Sequence, residues 1–159
     1  MSQFLLRNPK PWFAGIIASL IISNSHAFNY DQYQPGSLDE ILNQPRPAAG
    51  VDILTSPKKL RFEVKLTAYA EDCNTGFLKT AMVMLGTPRK SFKNIPISKC
   101  IKVKSTQDQI ASMYIQDKVA AYLPEEVPLD TPLTIFVDYL FVDGDGPGIL
   151  VNAFDSTKK

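Results

Sequence analysis

The chain of 159 residues has one histidine, His26, one tryptophan, Trp12, and two cysteines. Both His26 and Trp12 fall in an N-terminal segment that we expect to be removed, so the mature chain would contain neither residue. Without histidine there is no Ser-His-Asp or Cys-His relay and no histidine ligand for zinc. Acid–base chemistry near neutral pH would need a carboxylate or a lysine with a strongly shifted pKa. We therefore predict a protein that is not an enzyme and that holds no metal or cofactor.

The N-terminal segment has the pattern of a secretory signal peptide. Arg7 and Lys10 precede an apolar run over residues 13–22, and Ser25 and Ala27 place small residues at a cleavage site. The apolar run is shorter than the about 20 residues that span a membrane comfortably. We predict a signal peptide over residues 1–27 and a periplasmic or extracellular mature protein with no transmembrane span. An uncleaved N-terminal anchor is the alternative.

The two cysteines, Cys73 and Cys100, are expected to form one disulfide, because pairs in exported proteins usually do. A redox-active or metal-binding pair is the alternative. Their spacing is not CxxC, and the mature chain has no further Cys or His to complete a metal site. The mature chain of 132 residues fits one domain.

A proline-rich segment over residues 28–58 precedes the predicted domain, which covers residues 59–155 and is followed by a tail at 156–159. Ser37 and Glu40 match a helix capping box, and Leu38, Ile41 and Leu42 then form one apolar face. This short helix has two interpretations. It docks on its own domain, or it is a partner-docking helix on a flexible tether.

The remaining pattern predicts a mostly β domain with one short helix. Strands are expected from alternating or β-branched runs at residues 60–70, 80–86, 99–104, 109–116, 133–142 and 149–154. A bulge near Thr67 explains why the alternation shifts phase in the first strand. A helix over residues 117–123 would be capped by Asp117 and ended by Pro124.

The stretch Asp143-Gly-Asp-Gly146 lies between the last two predicted strands and has two interpretations. A calcium loop of the EF-hand type would need oxygen ligands where Pro147 and Phe154 stand. Asp-Gly between two strands is a strong hairpin signal. We predict a hairpin turn; a looser calcium site with Asp138 or Asp155 is the alternative.

The order of three strands, a helix and a closing hairpin resembles an OB-fold over about residues 60–154. The resemblance is to the architecture and involves no diagnostic motif; one extra strand candidate departs from the five-stranded pattern. It implies a small five- or six-stranded antiparallel barrel.

The charges divide the chain into two halves. Residues 58–104 hold eleven basic and three acidic side chains, whereas residues 105–155 hold one basic and nine acidic. Pairing across the sheet could cancel much of this asymmetry. Alternatively, the basic residues form a strip with Phe77 and Phe92 among them. The candidate strip contains Arg61, Lys65, Arg89, Lys90, Lys93, Lys102 and Lys104.

These features predict an exported binding or adaptor domain of a bacterial-type cell envelope. Its partner would be a protein or an envelope polyanion, because export argues against nucleic acid as the natural ligand of a basic surface. One alternative is a structural subunit of an envelope or secretion assembly. A less favoured one is a hydrolase that uses carboxylates such as Glu125 and Glu126.

Overall fold

The computed structural model describes residues 28–156; the predicted signal peptide and residues 157–159 lie outside this range. The described chain is mostly β. Its strands are β1 (Gln34–Pro35), β2 (Ile53–Asp72), β3 (Lys99–Lys104), β4 (Ile110–Ile115), β5 (Pro132–Val142) and β6 (Pro147–Ser156). Its helices are α1 (Leu38–Leu42), α2 (Gly76–Met84), α3 (Asp117–Ala120) and α4 (Leu123–Glu126), with 3-10 helices at Tyr30–Gln32 and Arg89–Lys93. No helix among the described residues is long and apolar enough to cross a membrane.

The six strands form one sheet in the order β1-β2-β3-β4-β6-β5, and β2 also pairs with β5. The five longer strands therefore form a ring. The expectation of a wholly antiparallel sheet is wrong at two places, because β1 runs parallel to β2 and β4 runs parallel to β6. The β4–β6 connection joins only Tyr114 to Leu150 and Ile115 to Val151.

Long β2 holds the ring together because it pairs with β5 over its first part and with β3 over its last part. The register shifts between Leu66 and Ala68, which confirms the predicted bulge near Thr67. Alternate residues Phe62, Val64 and Leu66 are buried, and similar positions of the other strands complete one core inside the ring. The strand alternation read from the sequence thus identifies the inward face.

The predicted strand at residues 80–86 is wrong, since most of it belongs to helix α2. Leu78 and Ala81 are fully buried at helical spacing and pack in a second core with Leu140, Phe141 and Leu150. Short apolar runs fit both periods, and here tertiary packing selects the helix. Without this strand, the ring has five long strands.

The predicted helix over residues 117–123 is replaced by two short helices, α3 and α4. Asp117 does not cap α3; its carboxylate accepts hydrogen bonds from the backbone and the hydroxyl of Ser98 at 2.7 and 2.8 Å. Pro124 does not end a helix but lies in the first turn of α4, where its missing N–H costs no hydrogen bond.

Residues 28–58 contact the ring directly. Gln34 and Pro35 pair with Leu60 and Arg61, and β2 already begins at Ile53, before the predicted domain start at 59. Ser37 accepts a hydrogen bond from the N–H of Glu40, as expected for the first turn of α1.

Cys73 and Cys100 form the predicted disulfide, which joins the end of β2 to β3. The intervening segment carries α2 and the second 3-10 helix.

Candidate functional site

Three residues of the predicted basic strip lie together on the outer surface of the ring: Lys65, Lys102 and Lys104. Lys65 of β2 is directly opposite Lys104 of β3, and Lys102 is two residues along the same strand. Their neighbours in sequence, such as Leu66 and Val103, are buried, so the alternation turns the lysines outward. Facing pairs in a sheet lie about 5 Å apart and next-but-one residues about 7 Å. We call this group the lysine face.

One ion pair among the described residues involves the lysine face, and Glu63 lies two residues before Lys65 on the same strand. Among residues 28–156 the ion pairs are Lys59–Asp138, Lys99–Asp72 and Lys104–Asp108. The Lys104–Asp108 contact is long, at 3.9 Å, and its aspartate is 84% exposed, so it contributes little. Like charges directly opposite each other destabilise a sheet. The facing pair Lys65 and Lys104 is therefore expected to lower the stability of the sheet. Cancellation across the sheet occurs instead at Lys59, which lies 3.3 Å from Asp138 of β5.

The other four residues of the predicted strip lie elsewhere. Arg61 is separated from Lys65 by Glu63 and lines a cavity of about 530 Å³ together with Asp39 and Asp155. Arg89, Lys90 and Lys93 belong to the second 3-10 helix, beside the outer surface of β5 and β6. Phe77 packs edge-on against Phe141 at 4.7 Å, and Phe92 lines a groove on that same side. The predicted strip is thus not one surface.

Beside the lysine face, β4 and β6 diverge and leave a slot of about 250 Å³. Asn74, Ser112 and Tyr114 line it together with the β5–β6 turn. Burial raises the pKa of Tyr114, and the nearby carboxylates of Asp143 and Asp145 raise it further. The slot therefore offers a neutral phenol, hydroxyl and amide groups next to two acidic residues.

The turn Asp143–Gly146 confirms the predicted hairpin. The backbones of Asp143 and Gly146 exchange hydrogen bonds, and the Asp143 carboxylate accepts from the N–H groups of Asp145 and Gly146 at 2.8 and 2.9 Å. One oxygen of Asp143 is thus engaged in shaping the turn. Within the described residues, no group of three or more His, Cys, Asp or Glu side chains could hold a metal ion.

The apolar face of α1 packs on its own domain. Leu38 is a member of the main core, and Ile41 and Leu42 pack against that core. These side chains are covered within the chain, in line with the first interpretation of this helix. Asp39 of the same helix is 3% exposed and accepts a hydrogen bond from the Thr106 hydroxyl at 2.7 Å.

The candidate carboxylates of a hydrolase lie on α4, on β5 and in the β5–β6 turn, where Asp143 and Asp145 line the same slot. Glu125 and Glu126 are exposed neighbours on α4. Asp138 contacts Lys59, and Asp143 supports the hairpin. Glu125 and Glu126 are thus exposed, whereas Asp138 and Asp143 each make a structural contact within the domain.

A second feature, a groove on the outer surface of β6, was not predicted from the sequence. Two adjoining depressions of about 340 and 370 Å³ share Phe28, Gln116 and Asn152. Gln116 donates a hydrogen bond to the Asn152 side-chain oxygen at 2.7 Å, and Asn152 donates to the Tyr33 hydroxyl at 3.3 Å. We call this the amide groove. Its residues are distant in sequence, and no spacing rule links them.

Tyr33 connects the amide groove to the Lys59–Asp138 pair. Lys59 lies 5.0 Å from the centre of the Tyr33 ring, a distance suited to a cation–π contact. Burial raises the pKa of Tyr33, and the Asp138 charge raises it further. Tyr33 therefore stays a neutral hydrogen-bonding group at physiological pH.

Comparisons of the chain with protein-family models, curated proteins and solved structures find no significant match.

Proposed function

We propose that this chain is an exported, non-catalytic binding or adaptor domain whose lysine face holds an anionic partner, either an acidic protein surface or an envelope polyanion. The observation that carries the proposal is the placement of Lys65, Lys102 and Lys104 on two adjacent strands with one weak ion pair among them. Such a cluster costs stability, and an anionic partner would turn it into a favourable contact.

The architecture supports this surface as the binding surface. The strands follow one another around the ring in the order β2-β3-β4-β6-β5, helices α3 and α4 connect β4 to β5, and the β5–β6 hairpin closes the ring. This arrangement is consistent with a small OB-like barrel. OB-folds bind extended ligands on their second and third strands, between the first loop and the last hairpin loop. Here those strands are β3 and β4, so the analogy includes Lys102 and Lys104 of β3 but not Lys65, which lies on the neighbouring strand β2. The loops supply Asn74 and the Asp143–Gly146 turn. This support is an analogy of architecture.

The charge of the face sets the type of partner. Exposed lysines attract anions over about 8 Å at physiological ionic strength, so binding should weaken steeply with added salt. No aromatic side chain of the predicted strip lies on the face, since Phe77 and Phe92 pack elsewhere. The two aromatic side chains expected to stack bases are therefore not part of this face, and the predicted export argues against nucleic acid as the natural partner.

The test compares two triple variants with the same change in net charge. One is Lys65→Glu, Lys102→Glu and Lys104→Glu; the matched control is Arg89→Glu, Lys90→Glu and Lys93→Glu. Both proteins are applied to immobilised heparin and to immobilised polyglutamate and eluted with a salt gradient. The lysine-face variant should lose retention on at least one matrix, and the control should keep most of it.

Equal losses in the two variants would show that net charge alone governs retention and would overturn the proposal. Full retention of the lysine-face variant would also overturn it. The choice of matrices separates a polyanionic glycan from an acidic polypeptide. Thermal unfolding of both variants checks that they fold, and exposed substitutions of this kind usually change stability by less than about 0.5 kcal/mol each.

A further inference from the structure

Strand β6 has an open edge beside the amide groove. On one side β6 pairs with β5 along its length, whereas on the other side it pairs with β4 only at Leu150 and Val151. The N–H of Gln116 still reaches the Val151 carbonyl at 3.3 Å, and the chain then turns into α3. Among residues 28–156, no strand pairs with β6 on that side from Asn152 to Ser156, and helix α3 packs beside the edge through Val119. Open edges present unpaired backbone groups that add an extended peptide readily.

A β-bulge marks the point where the open edge begins. Phe136 pairs with Ala153 and Val137 with Val151, so Asn152 is the extra residue. Bulges end pairing and redirect side chains, and they are frequent at sheet edges and beside functional sites. Here the bulge places the Asn152 amide between Gln116 and Tyr33 in the groove. An amide offers both donors and an acceptor, which suits a peptide group.

The lining of the groove fits an uncharged peptide with apolar side chains. Val119, Tyr122 and Phe154 line the part next to the open edge. Tyr122 is 49% exposed, so its ring is available for contact. The lining of each depression has one basic and one acidic residue: the ion-paired Lys59 and Asp138 in one, and Lys118 and Glu126 in the other. The lining therefore carries no net charge, unlike the lysine face.

We propose that the open edge of β6 and the amide groove bind an extended, uncharged peptide segment of a partner protein, which adds to the sheet as a strand and inserts apolar side chains beside Tyr122. This site is separate from the lysine face and does not depend on its function. Main-chain hydrogen bonds would supply part of the affinity, and the two depressions would select alternate side chains.

The probe is a phage-displayed library of random dodecapeptides, selected on the purified chain. Peptides with alternating apolar residues should be enriched. Ala153→Glu, which places a charge at the groove, and Tyr122→Ala should each weaken binding of an enriched peptide about tenfold or more, because buried aromatic contacts dominate such interfaces. Leu129→Ala is the control, since Leu129 is 41% exposed but lies outside the groove. It should change the affinity less than about twofold, as expected for a residue outside the contact.

Amide hydrogen exchange supplies an independent readout. Bound peptide should protect backbone amides within Asn152–Ser156, because a strand added to an open edge pairs with them. The triple lysine-face variant should bind the peptide as tightly as the unsubstituted chain does. If the variant lost peptide binding, the peptide would occupy the lysine face. That result would overturn the peptide-groove proposal and leave the proposed function of the lysine face standing.

Four other results would also overturn the proposal. The first is a library that yields no enriched peptide. The second is peptide binding that survives both Ala153→Glu and Tyr122→Ala in folded protein. The third is a concentration-dependent dimer, seen by light scattering and abolished by Ala153→Glu, which would make a second copy of the chain the occupant of the edge. Binding of neutral oligosaccharides without peptides, lost on Tyr122→Ala, would assign the groove to a sugar.

Discussion

Removal of the disulfide gives the most quantitative prediction. Cys73 and Cys100 are separated by 27 positions, and for a loop of this size the chain-entropy model gives about 3.5 kcal/mol of stabilisation. The folded state retains neighbouring contacts without the bond: the Cys73 N–H donates to the Ser98 carbonyl at 3.0 Å, and Cys100 pairs with Tyr114 of β4. Cys73→Ser with Cys100→Ser should therefore fold, but with a free energy of unfolding lower by about this amount.

Urea unfolding followed by far-ultraviolet circular dichroism measures the loss. With a slope of about 1.5–2 kcal/mol per molar urea, the midpoint should fall by about 2 M. The unsubstituted protein in excess reductant is the control and should unfold at the same midpoint as the double variant. A fall below about 0.5 M would refute the reasoning, because the entropic contribution would then be mostly absent. Equal midpoints for the oxidised and the reduced protein would refute it as well.

Two further predictions concern single residues. Burial alone would raise the pKa of Asp39, but the Thr106 hydroxyl, which donates a hydrogen bond at 2.7 Å, and the neighbouring polar groups of Ser105 and the Gln107 backbone hold it below its ordinary value. The ionised form thus stabilises the fold above pH 3.8, and this contribution is lost as the pH falls through the lower, folded-state pKa. Asp39→Asn should lower the free energy of unfolding by about 1–2 kcal/mol at pH 7 and by much less near pH 3; equal losses at both pH values would contradict this. Gly148→Ala should cost about 1–3 kcal/mol, because the added Cβ would collide with the buried ring of Phe141. Gly144→Ala is its control in thermal unfolding, since an added Cβ there meets only ordinary contacts, and equal melting temperatures for the two variants would contradict the steric argument.

Strand positions were predictable where one face of a strand is buried. The runs at 60–70, 99–104 and 133–142 alternate or are β-branched, and each lies within a strand of the ring. The turn at Asp143–Gly146 was predictable for a local reason, since Asp-Gly favours the turn conformations that join antiparallel strands. In each case the interactions that determine the structure are short-range and involve residues that are close in the sequence.

The remaining features depend on contacts between distant parts of the chain. Helix α2 was missed because its apolar residues fit either period until they pack on Phe141 and Leu150. The parallel pairing of β4 with β6 joins only two residue pairs and leaves no pattern in the sequence. The same limit applies to the candidate sites. Seven basic residues looked like one strip, and only the register of β2 against β3 separates Lys65, Lys102 and Lys104 from the others.

The energies show why the fold can hold a repulsive lysine face. Two unit charges about 5 Å apart in a solvated setting repel by about 1 kcal/mol or less, and salt reduces this further. The disulfide alone is expected to contribute about 3.5 kcal/mol, and it joins β2 to β3, the two strands that carry the lysines. Backbone pairing between β2 and β3 holds the two strands together, and the disulfide adds to the stability of the domain as a whole. A surface of like charges can persist at this place because its repulsion is small beside these contributions.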